Sequence, residues 1–152
     1  MDTLLQVLLN GILNGMLYAL VALGLCLIWG VMDVINFAHG EYVMVAMYVS
    51  YWLGFLANVD PLISTLAGGA LIFILGALTY KLIIHYTVGK PPLSALLATF
   101  GLAMLLKNLC LNRFTPNFRI LSDTWLGDRT FQLGGLIVPL PQLVTAVLAL
   151  LV

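Results

Sequence analysis

From Thr3 to Met32 the chain runs without a single charged side chain. A helix crosses the hydrocarbon of a bilayer in roughly 20 apolar residues, so this run holds one full span, with its core at about Leu4–Trp29. Four further uncharged or nearly uncharged segments follow: Tyr42–Val59, which starts as early as Asn36 if the polar residues before it are helical; Leu62–Tyr80; Leu93 to about Phe114, carrying Lys107 near its end; and Leu136–Val152. The expected fold class is an all-α integral membrane protein of about five transmembrane helices, with residues 1–152 forming one transmembrane domain. Composition agrees, since 62% of the residues are apolar and 8% charged, against roughly 25% charged in a soluble domain. In water so little charge leaves exposed apolar surface that aggregates. A soluble enzyme, a nucleic-acid binder and a disordered chain are therefore excluded, and the lipid bilayer is the first partner.

The connections carry the punctuation. Asn58-Val59-Asp60-Pro61 reads as a tight turn, with Asp60 as a cap and Pro61 at the first helical position. Lys81–Pro92 is a short polar connection closed by Gly89-Lys90-Pro91-Pro92, which cannot continue a helix. Thr115–Gly135 is a long polar loop. Lys81, His85 and Lys90 with no acid place the third connection in the cytoplasm and, provided the segment around Asp33 adds no crossing of its own, the amino terminus outside, although Arg113, Arg119 and Arg129 then fall in an external loop against the positive-inside trend. The last apolar run stops at Val152 with no interfacial flank, which reads as a truncated span. Met1-Asp2-Thr3 lacks the basic region of a signal peptide, so the first span is expected to stay in the mature protein. Cys26 and Cys110 lie far apart inside apolar runs and are expected to be buried thiols.

Two groups of residues stand out within the spans. Asn10, Gly11, Asn14, Gly15 and Ala19 give the first span a small and polar face, and Ala95, Thr99 and Ala103 give the fourth a similar one. Helix packing explains both, because small residues let helices approach closely in lipid and Asn hydrogen-bonds across the contact. A polar path lined by Asn10 and Asn14 is the other reading. The segment from Asp33 to Glu41 is harder to draw as a helix. Asp33, Asn36, His39 and Glu41 scatter around the whole axis at 100° per residue, which leaves no lipid-compatible face. Gly30 and Gly40 bracket the segment with conformational freedom. A broken or re-entrant stretch near 33–41, buried in protein or beside a wet cavity, satisfies these facts, and so does an exposed loop between two spans.

The same residues offer little chemistry. His39 and Glu41 provide two metal ligands, but no third is spaced to complete a site. A proton relay through Asp33, His39 and Glu41 lacks acidic partners in the later spans. No Ser-His-Asp arrangement and no phosphate loop is present, so neither catalysis nor an ATPase site is expected in this chain.

Gly15-Met16-Leu17-Tyr18-Ala19-Leu20-Val21-Ala22-Leu23-Gly24-Leu25, then Ile28-Trp29-Gly30-Val31, then Ile35-Asn36-Phe37-Ala38-His39-Gly40-Glu41 and Met44, resembles the opening of the branched-chain amino acid ABC transporter permeases. Pro92-Leu93-Ser94-Ala95-Leu96-Leu97-Ala98-Thr99-Phe100-Gly101-Leu102 resembles the start of that family's fourth span. The resemblance runs from about Asn10 to Asn112. It implies the amino-terminal half of an inner-membrane permease subunit of a bacterial importer for leucine, isoleucine and valine. The implied partners are a second permease subunit, two cytoplasmic ATPase subunits that use the ATP, and a periplasmic or extracellular substrate-binding protein. No cofactor is implied in this chain. Urea and short-amide permeases are close relatives and commonly carry Met where Phe37 stands here. Within this reading Asn36, His39 and Glu41 hold the broken segment in shape at the pathway wall, with Asn10 and Asn14 packed nearby. A secondary transporter coupled through Asp33–Glu41 and a non-transporting assembly subunit are the other classes open to the sequence.

Overall fold

A computed structural model of the chain describes residues 2–57, 59, 61–114, 129–133 and 135–152. Five α-helices account for nearly all of them: α1 (Asp2–Met32), α2 (His39–Ala57), α3 (Pro61–Leu82), α4 (Pro92–Phe114) and α5 (Leu140–Leu151). A 3-10 turn, Ile84–Tyr86, lies between α3 and α4, and two short strands, β1 (Thr130–Leu133) and β2 (Leu136–Pro139), precede α5. Helices α1, α3 and α4 are each long and apolar enough to cross a membrane, while α2 opens on His39 and Glu41 before its apolar run. The protein is an all-α membrane protein whose only strands among the described residues are this hairpin.

The helix boundaries follow local chemistry. Pro61 and Pro92 open α3 and α4, where a missing N–H costs nothing and φ is already helical. Asn58 and Asp60, expected in the preceding turn, lie outside the described residues, as does most of the expected loop 115–135. After α3 the chain turns through Gly89, at φ +78°, a left-handed conformation that favours glycine. The break between α1 and α2 is not made by its flanking glycines: Gly30 is inside α1 and Gly40 inside α2. Asp33 itself takes the left-handed conformation, at φ +53°, which Asp tolerates better than most residues because its short polar side chain bonds locally.

The fifth helix begins later than its apolar run. Leu136–Pro139 pairs antiparallel with Thr130–Leu133 in a two-stranded ladder, and Gly135, at φ +93°, stands in the turn. Pro139 and Pro141 then set the start of α5.

The chain divides into two compact units, one of residues 1–26 with 122–152 and one of residues 27–121. In the larger unit α2 packs along α3. A Cβ added at Gly68 would stand 3.1 Å from Ser50 Oγ and 3.4 Å from the Ala46 carbonyl, so a larger residue there would require Ser50 to shift. Ser64, one turn before Gly68, is completely buried, and Ser50 Oγ donates to its carbonyl at 3.3 Å. Ala38, Tyr42 and Ala103 form a buried cluster against Ile72, Leu75, Leu102 and Leu106. Tyr48, Tyr51, Trp52, Phe55 and Phe114 gather at the far ends of α2 and α4, with Tyr48 and Phe114 stacked at 4.7 Å, the kind of aromatic belt that marks a membrane interface. In the smaller unit, Gln6 of α1 accepts from the Ile137 N–H at 2.9 Å and donates to the Ile137 carbonyl at 2.8 Å. Its carboxamide thus pairs the outer edge of β2 as a neighbouring strand would.

Candidate functional site

The non-helical stretch 33–38 carries backbone groups that need partners if they are to lie among apolar helices. Asn36 supplies one, its Oδ1 accepting from the Ala38 N–H at 3.0 Å, while its own carbonyl accepts from the His39 N–H at 3.2 Å. Thr99 of α4 supplies another. Its hydroxyl oxygen accepts from the Phe37 N–H at 3.2 Å and lies 3.4 Å from the Ile35 carbonyl, with the hydroxyl donating back to Ala95 at 2.9 Å. Thr99 is fully buried and Asn36 only 5% exposed. The first helical bond of α2 then runs from Tyr42 N–H to the Ala38 carbonyl. Glu41, in the first turn of α2, places a carboxylate where the helix dipole favours negative charge.

Beyond this stretch a groove of about 810 Å³ opens between α2 and α3. Asn36 and His39 stand on its wall with Tyr42, Ser50, Thr65 and Thr79, and the remaining lining is mostly aliphatic and aromatic. Tyr42 donates to Thr79 Oγ1 at 2.6 Å, and Thr79 donates back to Leu75 at 2.8 Å, so this buried hydroxyl pair is internally satisfied. The groove thus has a mostly apolar wall with a sparse row of polar groups.

Within the larger unit, the polar residues singled out in the sequence face different places. Asn36 and His39 share the groove, while Asp33 is exposed and lines a separate cleft. Glu41 lines none of the clefts described. Asn10 and Asn14 belong to the smaller unit, where they line a cleft of about 590 Å³ with Gln6, Ile137 and Gln142. Gln6 donates to Asn10 Oδ1 at 3.2 Å. Asn10 thus meets another carboxamide within the smaller unit. Ala95 and Ala103 are buried with Thr99, whereas Gly11, Gly15 and Ala19 are exposed, and a Cβ at Gly11 or Gly15 would meet nothing within 4 Å. Of the cysteines, Cys110 is buried but Cys26 is exposed on α1. Gln6, Tyr42 and Thr79 carry no signal in the sequence, because their importance depends on what stands opposite them. No cluster of three metal-ligating side chains occurs among the described residues.

Long apolar helices and a polar break satisfied from within the chain define a multi-pass membrane protein. The sequence profile described as "Branched-chain amino acid transport system / permease component" matches residues 7–152, and the chain belongs to that family. It is similar to the high-affinity branched-chain amino acid transport system permease protein LivH of Salmonella typhimurium and of Escherichia coli K12, at 32% identity over 112 residues, which is 68% of this chain and 36% of each relative. It is also similar to the permease protein BraD of Pseudomonas aeruginosa, at 27% identity over 159 residues, 97% of this chain and 52% of the relative. The chain thus spans between about a third and a half of the length of these relatives. No solved structure matches it.

Proposed function

We propose that this chain is a membrane-spanning permease subunit of a bacterial inner-membrane ABC importer for leucine, isoleucine and valine. The α2–α3 groove, apolar along most of its wall and carrying only neutral polar groups besides His39, is the observation that supports this reading beyond the family itself. The named activities of LivH and BraD favour amino acids over urea or short amides, which lack the branched aliphatic side chain that such a wall can pack. In this reading a substrate-binding protein supplies affinity, and two cytoplasmic ATPases supply the energy. This subunit and a second permease subunit form the gated path, and this chain takes no cofactor and hydrolyses no ATP of its own. Asn36, His39 and Glu41 hold the break in shape at the wall of that path.

The test is uptake of labelled leucine by the full-length permease with its partner subunits. His39→Ala and Glu41→Gln are expected to cut the uptake rate severalfold while the assembled complex remains in the membrane. Wild-type uptake and assembly in both variants would contradict the assigned roles. Leucine uptake that followed a proton gradient without ATP or a binding protein would replace the importer with a secondary transporter.

A further inference from the structure

The larger unit has a second cleft, of about 530 Å³, where the α1–α2 break meets the turn before α4. Its lining contains one acid and one base, Asp33 and Lys90, among apolar side chains that include Trp29, Ile35, Val88 and Leu96. The chain has six acidic and six basic residues in all, so bringing one of each to a single cleft uses a scarce resource. Neither the α2–α3 groove nor the carboxamide cleft has an Asp, Glu, Lys or Arg in its described lining.

Both charged residues are held by fixed backbone. Asp33 is in the left-handed conformation and its N–H bonds to the Trp29 carbonyl at 2.8 Å. Lys90 follows left-handed Gly89, and its N–H bonds to the Thr87 carbonyl at 3.1 Å. The Thr87 hydroxyl and the Val88 N–H both donate to the Ile84 carbonyl, at 2.8 and 3.0 Å. Ile84 is in turn buried against Val34 and Ala95.

We infer that this cleft is a binding site for a zwitterionic aliphatic α-amino acid, with Asp33 receiving its ammonium group, Lys90 its carboxylate, and Ile35, Val88 and Leu96 its branched side chain. A zwitterion loses strong hydration on leaving water, and a site that offers one charge of each sign replaces it without acquiring net charge. The volume falls in the range of small-molecule pockets, roughly 300–1,000 Å³. The inference deepens the proposed function and rests on it for the identity of the amino acid, since it names a place on the path where the transported molecule is recognised at both ends.

The test uses the full-length transporter in vesicles with its native cysteines, the exposed Cys26 among them, replaced by alanine, and Val88→Cys as reporter, with Leu96→Cys as a second reporter should the first fail to assemble. The labelling rate by a charged thiol reagent is measured without ATP, against rising leucine, 4-methylpentanoate (no ammonium) and 3-methylbutylamine (no carboxylate). Leucine is expected to protect at concentrations about tenfold lower than either analogue, a difference of about 1.4 kcal/mol. Asp33→Asn should bring leucine level with the acid, and Lys90→Gln should bring it level with the amine. If the two residues merely fasten the break to the turn, the variants change all three ligands alike or change only stability, and the inference falls. Leucine uptake measured in parallel separates the two readings. Uptake without protection removes the site and leaves the importer; protection without uptake keeps the site and removes the importer.

Discussion

Thr99 shows how much one hydroxyl can settle. The break between α1 and α2 leaves the Phe37 N–H without a helical partner, and Thr99 accepts it from a position with no solvent access. A buried donor left unpaired costs about 1–3 kcal/mol, whereas the bond it replaces contributes about 1 kcal/mol net. Thr99→Val keeps the shape and removes the acceptor. It is expected to lower the thermal midpoint of the full-length protein by several degrees, and Thr99→Ser by distinctly less; equal midpoints in both variants and the wild type would show that the break is held by other means. This role was only half legible in the sequence. The small face of Ala95, Thr99 and Ala103 could be seen, but a threonine that bonds back to its own helix at Ala95 looks like packing until the residue 62 positions earlier is placed against it. The segment Asp33–Glu41 could be read as a departure from a lipid-facing helix, because its polar side chains scatter around the whole axis, though an exposed loop fitted the same residues. What could not be read was that they face different places, with Asn36 and His39 on the groove and Asp33 on the charged cleft.

Among the elements, the helices were the predictable part and the hairpin was not. Length and hydropathy suffice to find a span in lipid, because every backbone group of a crossing segment must be paired within it. A four-residue apolar strand gives no such signal: Leu136–Pro139 merges by composition with the helix that follows, and short apolar runs do not distinguish the two. Gly134-Gly135 between two apolar runs, with Pro139 and Pro141 after them, was the available clue. The free edge of β2 is the weak point of such a hairpin, and Gln6 covers it at Ile137. Gln6→Leu removes both bonds at once. The Ile137 amide is then expected to exchange with deuterium about tenfold faster, in line with the loss of roughly 1–1.5 kcal/mol, while the amides of α3 and α4 stay unchanged. An unaltered Ile137 rate would mean that the hairpin needs no cover from α1.

At the scale of the whole molecule, the apolar window of α1 has none of its residues buried within the chain, and the exposed face of Gly11, Gly15 and Ala19 is therefore free to meet lipid or another helix. The basic connection between α3 and α4 sets the expected orientation. With Lys81, His85 and Lys90 on the cytoplasmic side, a cysteine introduced for the exposed His85 should react with an impermeant reagent in inside-out vesicles and not in right-side-out ones. The reverse pattern would invert the protein in the membrane. The bond between Gln6 and Ile137 also has a place in time. The two residues are 131 positions apart, and at ordinary rates of synthesis, about 5–20 residues per second, Ile137 follows Gln6 from the ribosome by roughly 7–26 s. During that interval α1 carries a carboxamide whose final partner does not yet exist. Asn10, one turn along the same helix and already within 3.2 Å of Gln6 Nε2 in the finished protein, can hold it meanwhile, so the pair of amides serves the newborn helix before it serves the folded one.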